Sequence, residues 1–238
     1  MFVPIHDTNP LKSIRFQYVT VALIAINAAV YILFGSGLVY PVDERTLAFA
    51  MVPDQLFSDG EYFTGSVHVP EGAYPVPERF TLVSYMFMHG SAFHLIGNML
   101  FLWVFGDNVE DALGHARFLM FYLMCGVFAA VVHALRLPDS PIPLIGASGA
   151  VAGTIAAYLM LHPKVKIWVL ALWRIPIRIT AAWALGFWVL LQLGNALFDA
   201  GENVAWWAHV GGLAAGALLV LFMRRRGVPL FDKTAGGA

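Results

Sequence analysis

Charged residues are scarce in this sequence. Only 12% of its 238 residues are Asp, Glu, Lys or Arg, whereas about 25% is usual in soluble globular domains. The 14 basic and 15 acidic residues leave a net charge of -1, which provides no basic field for a nucleic acid. Hydrophobic residues make up 59%, an excess that disordered chains lack. The composition therefore excludes an ordinary soluble globule, a disordered chain and a nucleic-acid-binding protein.

Cysteine is nearly absent as well. Cys125 is the only one in the sequence, so no disulfide can form within the chain. No group of Cys and His residues has the spacing of a zinc site. We therefore expect neither a metal nor another cofactor.

Long apolar runs with few or no charges dominate the rest of the chain. A bilayer core of about 30 Å needs roughly 20 apolar residues in a helix. Six runs approach that length: 18–39, 82–106, 118–135, 144–161, 178–198 and 204–223. We predict an all-α membrane protein with six transmembrane helices, forming one domain over residues 1–238. The first run is long and lacks a convincing cleavage site, so we expect a retained helix rather than a signal peptide.

The basic residues indicate an orientation in the membrane. With the N-terminus inside, eleven of the 14 Lys and Arg residues fall on the inner side, and only Arg45, Arg79 and Arg136 fall outside. Because basic residues concentrate in cytoplasmic segments, we predict that residues 1–17 and 224–238 are cytoplasmic. The outer connection 40–81 is the longest, and a connection of this length predicts structure of its own at the membrane surface.

Polar side chains within the predicted spans are candidate functional groups, because ionisable residues are costly in a membrane. His94, Ser148 and His209 all lie roughly 20–23 Å above the cytoplasmic boundary at 1.5 Å per residue. Asn98 follows His94 by four residues and shares its helix face, a pattern that is equally typical of a structural interhelical hydrogen bond. His133 has a similar height, but its neighbours indicate an ordinary helix end at the interface.

The fourth span is too short to cross the membrane alone. From Ser148 to His162 it rises only about 21 Å, so the preceding chain must enter the membrane as non-helical backbone. Such backbone is tolerated only beside protein or a water-filled cavity. A serine at a helix start is usually an N-cap or a packing device. The depth here instead favours a wet cavity with Ser148 at the positive end of a helix dipole.

The same residues suggest acyl-transfer chemistry. A serine hydroxyl needs a base to become a nucleophile, and histidine is the commonest base. The glycine pairs Gly149/Gly153 and Gly212/Gly216 would let two helices approach closely, which makes contact between Ser148 and His209 possible.

No Asp or Glu lies within a predicted span, so a Ser-His-carboxylate relay is not expected at membrane depth. Asp199 and Glu202 are expected to be solvated loop residues. His94, Asn98 and the Ser148 backbone N–H would serve as donors to an oxyanion.

Three segments resemble motifs of the rhomboid family of intramembrane serine proteases, and the similarity covers about residues 75–223. Residues 87–110 resemble its second helix, Gly146-Ala147-Ser148-Gly149 resembles its Gly-x-Ser-Gly nucleophile motif, and Ala208-His209 followed by Gly212 and Gly216 resembles its sixth helix. The resemblance implies the basic bacterial form, a six-helix rhomboid bundle whose short fourth helix begins inside the protein. It also implies a Ser148–His209 dyad, and an oxyanion site formed by His94, Asn98 and the Ser148 amide.

The implied activity is endoproteolysis of single-pass membrane proteins, near the outer part of their transmembrane segments, through an acyl-enzyme. The expected partners are transmembrane substrates and the lipid bilayer, in the inner membrane of a bacterium. No oligomeric state is predicted. Two positions depart from the family pattern: Arg79-Phe80 stands where many members have Trp-Arg, and Ala152 stands where some have a tyrosine that stacks on the histidine. The support for His209 is therefore not identified.

Two other functions are compatible with a membrane bundle that has a polar interior. A catalytically silent rhomboid-like protein would bind or escort membrane proteins, but the presence of all four polar residues argues against it. A small-solute transporter also uses broken helices, but paired interruptions and a buried acid are missing here. We therefore predict proteolysis, with a preference for segments rich in Gly, Ala, Ser or Pro, which cost less to unwind.

Overall fold

The structure is a computed structural model that describes residues 2–40, 48–57, 62–64, 67–69, 77–171, 174–198 and 204–232. Within these ranges the chain is mostly helical, which confirms the predicted fold class. Much of the predicted outer connection 40–81 lies outside the described residues, as do Asp199, Glu202 and the end of the C-terminal tail.

The helices and strands follow one another in this order along the chain: β1 (Phe2–Asp7), α1 (Tyr18–Val30), α2 (Pro53–Phe57), β2 (Tyr62–Thr64), β3 (Val67–Val69), α3 (Glu78–Ser84), α4 (Ala92–Leu113), α5 (His115–Arg136), α6 (Ser148–Leu161), β4 (Lys166–Ala171), β5 (Ile175–Thr180), α7 (Ala181–Leu197) and α8 (Trp206–Met223). A π turn extends α1 to Gly35, and a 3₁₀ turn follows α3. Each of the six predicted apolar runs therefore contains a helix.

Three helices of the described chain are long and apolar enough to cross a membrane by themselves: α1 with its π turn, α5 and α8. The pair α3 and α4 meets the same criterion only together, and it is bent by 82° at its break. The predicted run 82–106 is therefore not one straight helix. The helices α6 and α7 are apolar but shorter, with 14 and 17 residues.

Helix α4 continues beyond the apolar run because its acidic end has buried partners. Glu110 is fully buried and accepts hydrogen bonds from the backbone N–H of Val19 (3.0 Å) and Thr20 (2.8 Å) and from the Thr20 hydroxyl (2.7 Å). It thereby satisfies amide groups at the start of α1 that have no partner within their own helix. Gly114, at φ 88°, then turns the chain into α5.

A three-stranded antiparallel sheet, in the order β1-β4-β5, lies at the other end of α6 from Ser148. The apolar runs of the sequence did not predict this sheet. Strand β1 pairs with β4, so much of segment 1–17 is bound to the bundle. Ile167 and Val169 of β4 are buried, and Asp7 accepts a hydrogen bond from the Tyr158 hydroxyl of α6 at 2.6 Å. The sheet is therefore a fixed part of the fold.

Helix α6 occupies the centre of the bundle. Eleven of its 14 residues are buried, and it packs against α4, α5 and α8. A helix covered on all sides can begin inside the protein, because its neighbours shield the backbone that leads into it. This central position places Ser148, its first residue, within the bundle.

Candidate active site

The loop that leads to Ser148 is held by the segment between α3 and α4. The backbone N–H of Gly146 donates to the carbonyl of Tyr85 at 2.9 Å, and that of Ala147 donates to His89 Nε2 at 3.5 Å. Gly146 has φ 115°, a conformation that favours glycine. A Cβ atom there would lie 2.6 Å from the His94 ring. The loop therefore fixes Ser148 at the start of α6, beside α4.

His209 lies in the first turn of α8, buried and close to Ser148. Its Nε2 is 2.8 Å from Ser148 Oγ. The two helices come this close because glycines face each other: a Cβ on Gly212 would overlap the carbonyl of Gly149, and one on Gly216 would overlap that of Gly153. The structure thus brings together the serine and the imidazole that are 61 positions apart in the sequence.

A third polar side chain, Gln192 of α7, contacts His209 through the ring nitrogen that does not face Ser148. It is buried, with Oε1 2.7 Å from His209 Nδ1 and Nε2 3.4 Å from the backbone carbonyl oxygen of Trp188. The rings of Trp188 and Trp206 flank the imidazole, with centroids at 6.2 and 6.0 Å. The sequence motifs did not indicate Gln192, and they left the support of His209 unidentified. The sign of it in the sequence was a polar amide side chain, that of Gln192 itself, within the charge-free part of run 178–198.

His94 and Asn98 lie one turn apart on α4 and face the loop before Ser148. A Cβ at Gly146 would be 2.6 Å from His94 Nε2 and 3.7 Å from Asn98 Nδ2. Asn98 is buried, and its Nδ2 has no hydrogen-bond partner among the described residues. An unpaired buried donor costs free energy. Of these two side chains, only His94 lines the cavity beside Ser148.

A cavity of about 710 Å³ opens beside these groups and is lined by His94, Ser148 and His209. His133 lies in the last turn of α5, where the sequence predicted a helix end, and it also lines the cavity with only 7% of its surface exposed. The described part of the lining contains no Asp or Glu. Across the described residues, no group of three or more His, Cys, Asp or Glu side chains could hold a metal ion.

The fold and this site define a class: a multi-pass membrane protein that holds a hydrogen-bonded serine and histidine at the wall of an open cavity. Residues 77–226 match the family model of the Rhomboid domain, and the chain belongs to the rhomboid family.

Relatives in plants, yeast and bacteria share this region. RHOMBOID-like protein 5 of Arabidopsis thaliana is 30% identical over 149 residues, which are 62% of this chain and 45% of that protein. Rhomboid protein 1, mitochondrial, of Saccharomyces cerevisiae is 29% identical over 153 residues, 60% of this chain and 41% of that protein. Rhomboid protease GluP of Bacillus subtilis is 37% identical over 82 residues, 34% of this chain and 16% of that protein. The chain spans less than half the length of these curated relatives.

Proposed function

We propose that this protein is an intramembrane serine endopeptidase with Ser148 as nucleophile and His209 as general base. The observation that carries the proposal is the 2.8 Å contact between Ser148 Oγ and His209 Nε2 at the wall of the cavity. A nucleophile and base within this distance are the signature of covalent catalysis. Family membership supports the same reaction class, since one relative is named a protease.

The reaction begins when His209 Nε2 takes the Ser148 proton and Oγ attacks a substrate carbonyl carbon. The resulting oxyanion accepts hydrogen bonds from His94, Asn98 and the Ser148 backbone N–H, which as the first amide of α6 has no partner within its own helix. His209 then gives the proton to the leaving amine, and the peptide bond breaks to leave an acyl-enzyme. Water attacks this ester with His209 again as base, which releases the acid product and restores the Ser148 hydroxyl.

The substrates in this proposal are transmembrane segments of single-pass membrane proteins that reach the cavity from the bilayer. A helix hides its carbonyls within its own hydrogen bonds, so a segment must unwind locally before Ser148 can attack. Gly and Pro lower helix stability by about 1 and 3 kcal/mol per residue relative to Ala. We therefore expect cleavage near such residues, in the part of the segment level with Ser148.

Removal of the Ser148 hydroxyl tests the proposed function. We expect the parent protein in liposomes to cut a tagged transmembrane substrate and to react with a fluorophosphonate probe. The Ser148→Ala variant should do neither, because no nucleophile remains. The Ser13→Ala variant, altered at an exposed serine of the N-terminal segment, is the matched control and should match the parent.

Equal cleavage by the Ser148→Ala variant and the parent would exclude Ser148 as the nucleophile. A folded parent that binds transmembrane segments but neither cuts nor reacts with the probe would instead identify a catalytically silent binding or escort protein.

A further inference from the structure

The face of His209 that points away from Ser148 has a partner of its own. His209 Nδ1 lies 2.7 Å from Gln192 Oε1, and both side chains are buried, with 9% and 5% of their surface exposed. We propose that Gln192 is a positioning residue that holds His209 in the tautomer needed for catalysis, as a neutral third member of the Ser148–His209 pair. This inference rests on the proposed function and adds a residue to it.

The orientation of the Gln192 amide decides whether it can play this part. Its Nε2 lies 3.4 Å from the backbone carbonyl oxygen of Trp188, four positions earlier on α7. A carbonyl oxygen only accepts hydrogen bonds, and an amide NH₂ only donates them. The NH₂ group therefore belongs on the Trp188 side, and Oε1 faces His209. The reverse orientation would set two acceptor oxygens against each other.

This orientation selects one tautomer of His209. Because Oε1 only accepts, Nδ1 must carry the hydrogen, and in a neutral imidazole the other nitrogen then has a free lone pair. That nitrogen is Nε2, which lies 2.8 Å from Ser148 Oγ. The Ser148 hydroxyl consequently donates to Nε2, which is the direction of proton transfer that a general base requires. The opposite tautomer would present an N–H to Ser148 and could not take its proton.

An amide in the third position of a catalytic triad can hold the histidine in the wrong tautomer, and the arrangement around Gln192 prevents this. In a serine protease, an Asp→Asn change at the third position costs about 10⁴-fold in kcat because the histidine adopts the wrong tautomer. Here the Trp188 carbonyl engages the NH₂ group, so the amide presents oxygen to the histidine. A neutral acceptor also avoids the large cost of an ionised carboxylate at membrane depth. Gln192 thus supplies the orienting hydrogen bond without a buried charge.

Two substitutions separate the acceptor from the bulk of the side chain. The Gln192→Leu variant keeps similar volume but loses the acceptor, and we expect its rate of fluorophosphonate labelling and its kcat to fall roughly 10-fold or more. Its KM should change little, because Gln192 does not line the cavity in the described structure. The Gln192→Glu variant should recover most of the rate. A neutral Glu, the form that avoids a charge at membrane depth, can donate its O–H to the Trp188 carbonyl and still accept from His209.

The matched control is Asn195→Leu, which removes the other amide of α7 at a position outside the described cavity lining. This variant should label at the parental rate. Thermal unfolding of each variant shows whether it is folded. Labelling of Gln192→Leu at the parental rate, or of Gln192→Glu as slowly as Gln192→Leu, would overturn the proposal.

A spectroscopic measurement reads the tautomer without any substrate. In parent protein labelled with ¹⁵N-histidine, we expect the His209 signals of an Nδ1–H imidazole, and these signals should change in Gln192→Leu. A parent that reacts with the probe but carries the His209 proton on Nε2 would overturn the role of Gln192 alone. A parent that neither cuts nor reacts with the probe would overturn the proposed function, and with it any part of Gln192 in catalysis, whatever the tautomer.

Discussion

At the scale of single residues, the unpaired amide of Asn98 has the clearest functional consequence. Its Nδ2 is buried without a hydrogen-bond partner among the described residues and faces the loop before Ser148. Most buried polar groups in proteins are paired, so an exception needs an explanation. A donor that is unpaired at rest and paired in the transition state stabilises only the transition state, which raises kcat.

The Asn98→Ala variant should therefore lose kcat rather than substrate affinity. An oxyanion donor contributes about 2.7–4 kcal/mol in a serine protease, or roughly 10²–10³ in kcat. We expect a loss of this size with KM within about threefold, measured on a tagged transmembrane substrate. Asn27→Ala, which removes a buried amide on α1, is the control and should keep the parental kcat. A change confined to KM would assign Asn98 to substrate binding instead.

His94, Ser148 and His209 could be singled out from the sequence because they share one membrane depth, and Asn98 because it lies four positions after His94 on the same helix face. Gln192 could not, because its helix contains none of the other candidate residues and an isolated amide in an apolar run does not indicate its partner. The neighbours of His133 predicted the helix end at which it lies, but they do not indicate which side of that helix faces the cavity.

At the scale of elements, the contact between α6 and α8 depends on glycines, which have no side chain to hold the two helices apart. The glycines of both helices leave their backbones in direct contact, and a Cβ on Gly212 has no room beside the Gly149 carbonyl. Small residues of this kind allow close helix packing in membranes. The distance between Ser148 and His209 is therefore a consequence of the glycine contact.

Gly212→Ala should consequently destabilise the protein and slow labelling of Ser148 by a fluorophosphonate. Overpacking of a tight contact typically costs about 1–3 kcal/mol, and the displaced α8 would carry His209 away from Ser148. Gly194→Ala is the matched control, because a Cβ at that helical glycine meets nothing within 4 Å. It should be neutral or stabilising by up to about 1 kcal/mol. Thermal unfolding in detergent measures both, and equal effects would contradict the glycine contact.

The helices themselves could largely be predicted, because each apolar run signals one segment locally. Their ends could not: α4 reaches Leu113 since buried Glu110 bonds to α1, and a hydropathy criterion stops at the first charges. The β1-β4-β5 sheet was missed because β1 and β4 are about 160 positions apart, and local patterns do not report such pairings.

At the scale of the whole molecule, the site and the sheet lie at opposite ends of α6. Ser148 begins this helix, and Tyr158 near its other end is hydrogen-bonded to Asp7 of β1. The exposed part of the β4-β5 hairpin carries basic residues such as Lys166 and Arg178. Because basic segments remain cytoplasmic, we propose that the sheet faces the cytoplasm of a bacterium and that the cavity opens on the outer side.

Cysteine labelling in spheroplasts tests this orientation, and the native chain provides a quiet background because Cys125, its single cysteine, is fully buried. Asp139 is exposed in the loop before Ser148, and Arg226 is exposed after α8. A membrane-impermeant maleimide should label Asp139→Cys in intact spheroplasts, and Arg226→Cys only after permeabilisation, with the parent unlabelled in both. The opposite pattern would place the cavity on the cytoplasmic side. Cleavage would then fall in the inner part of a transmembrane substrate, because the depth of Ser148 is fixed by the fold and only the direction of the bundle would have changed.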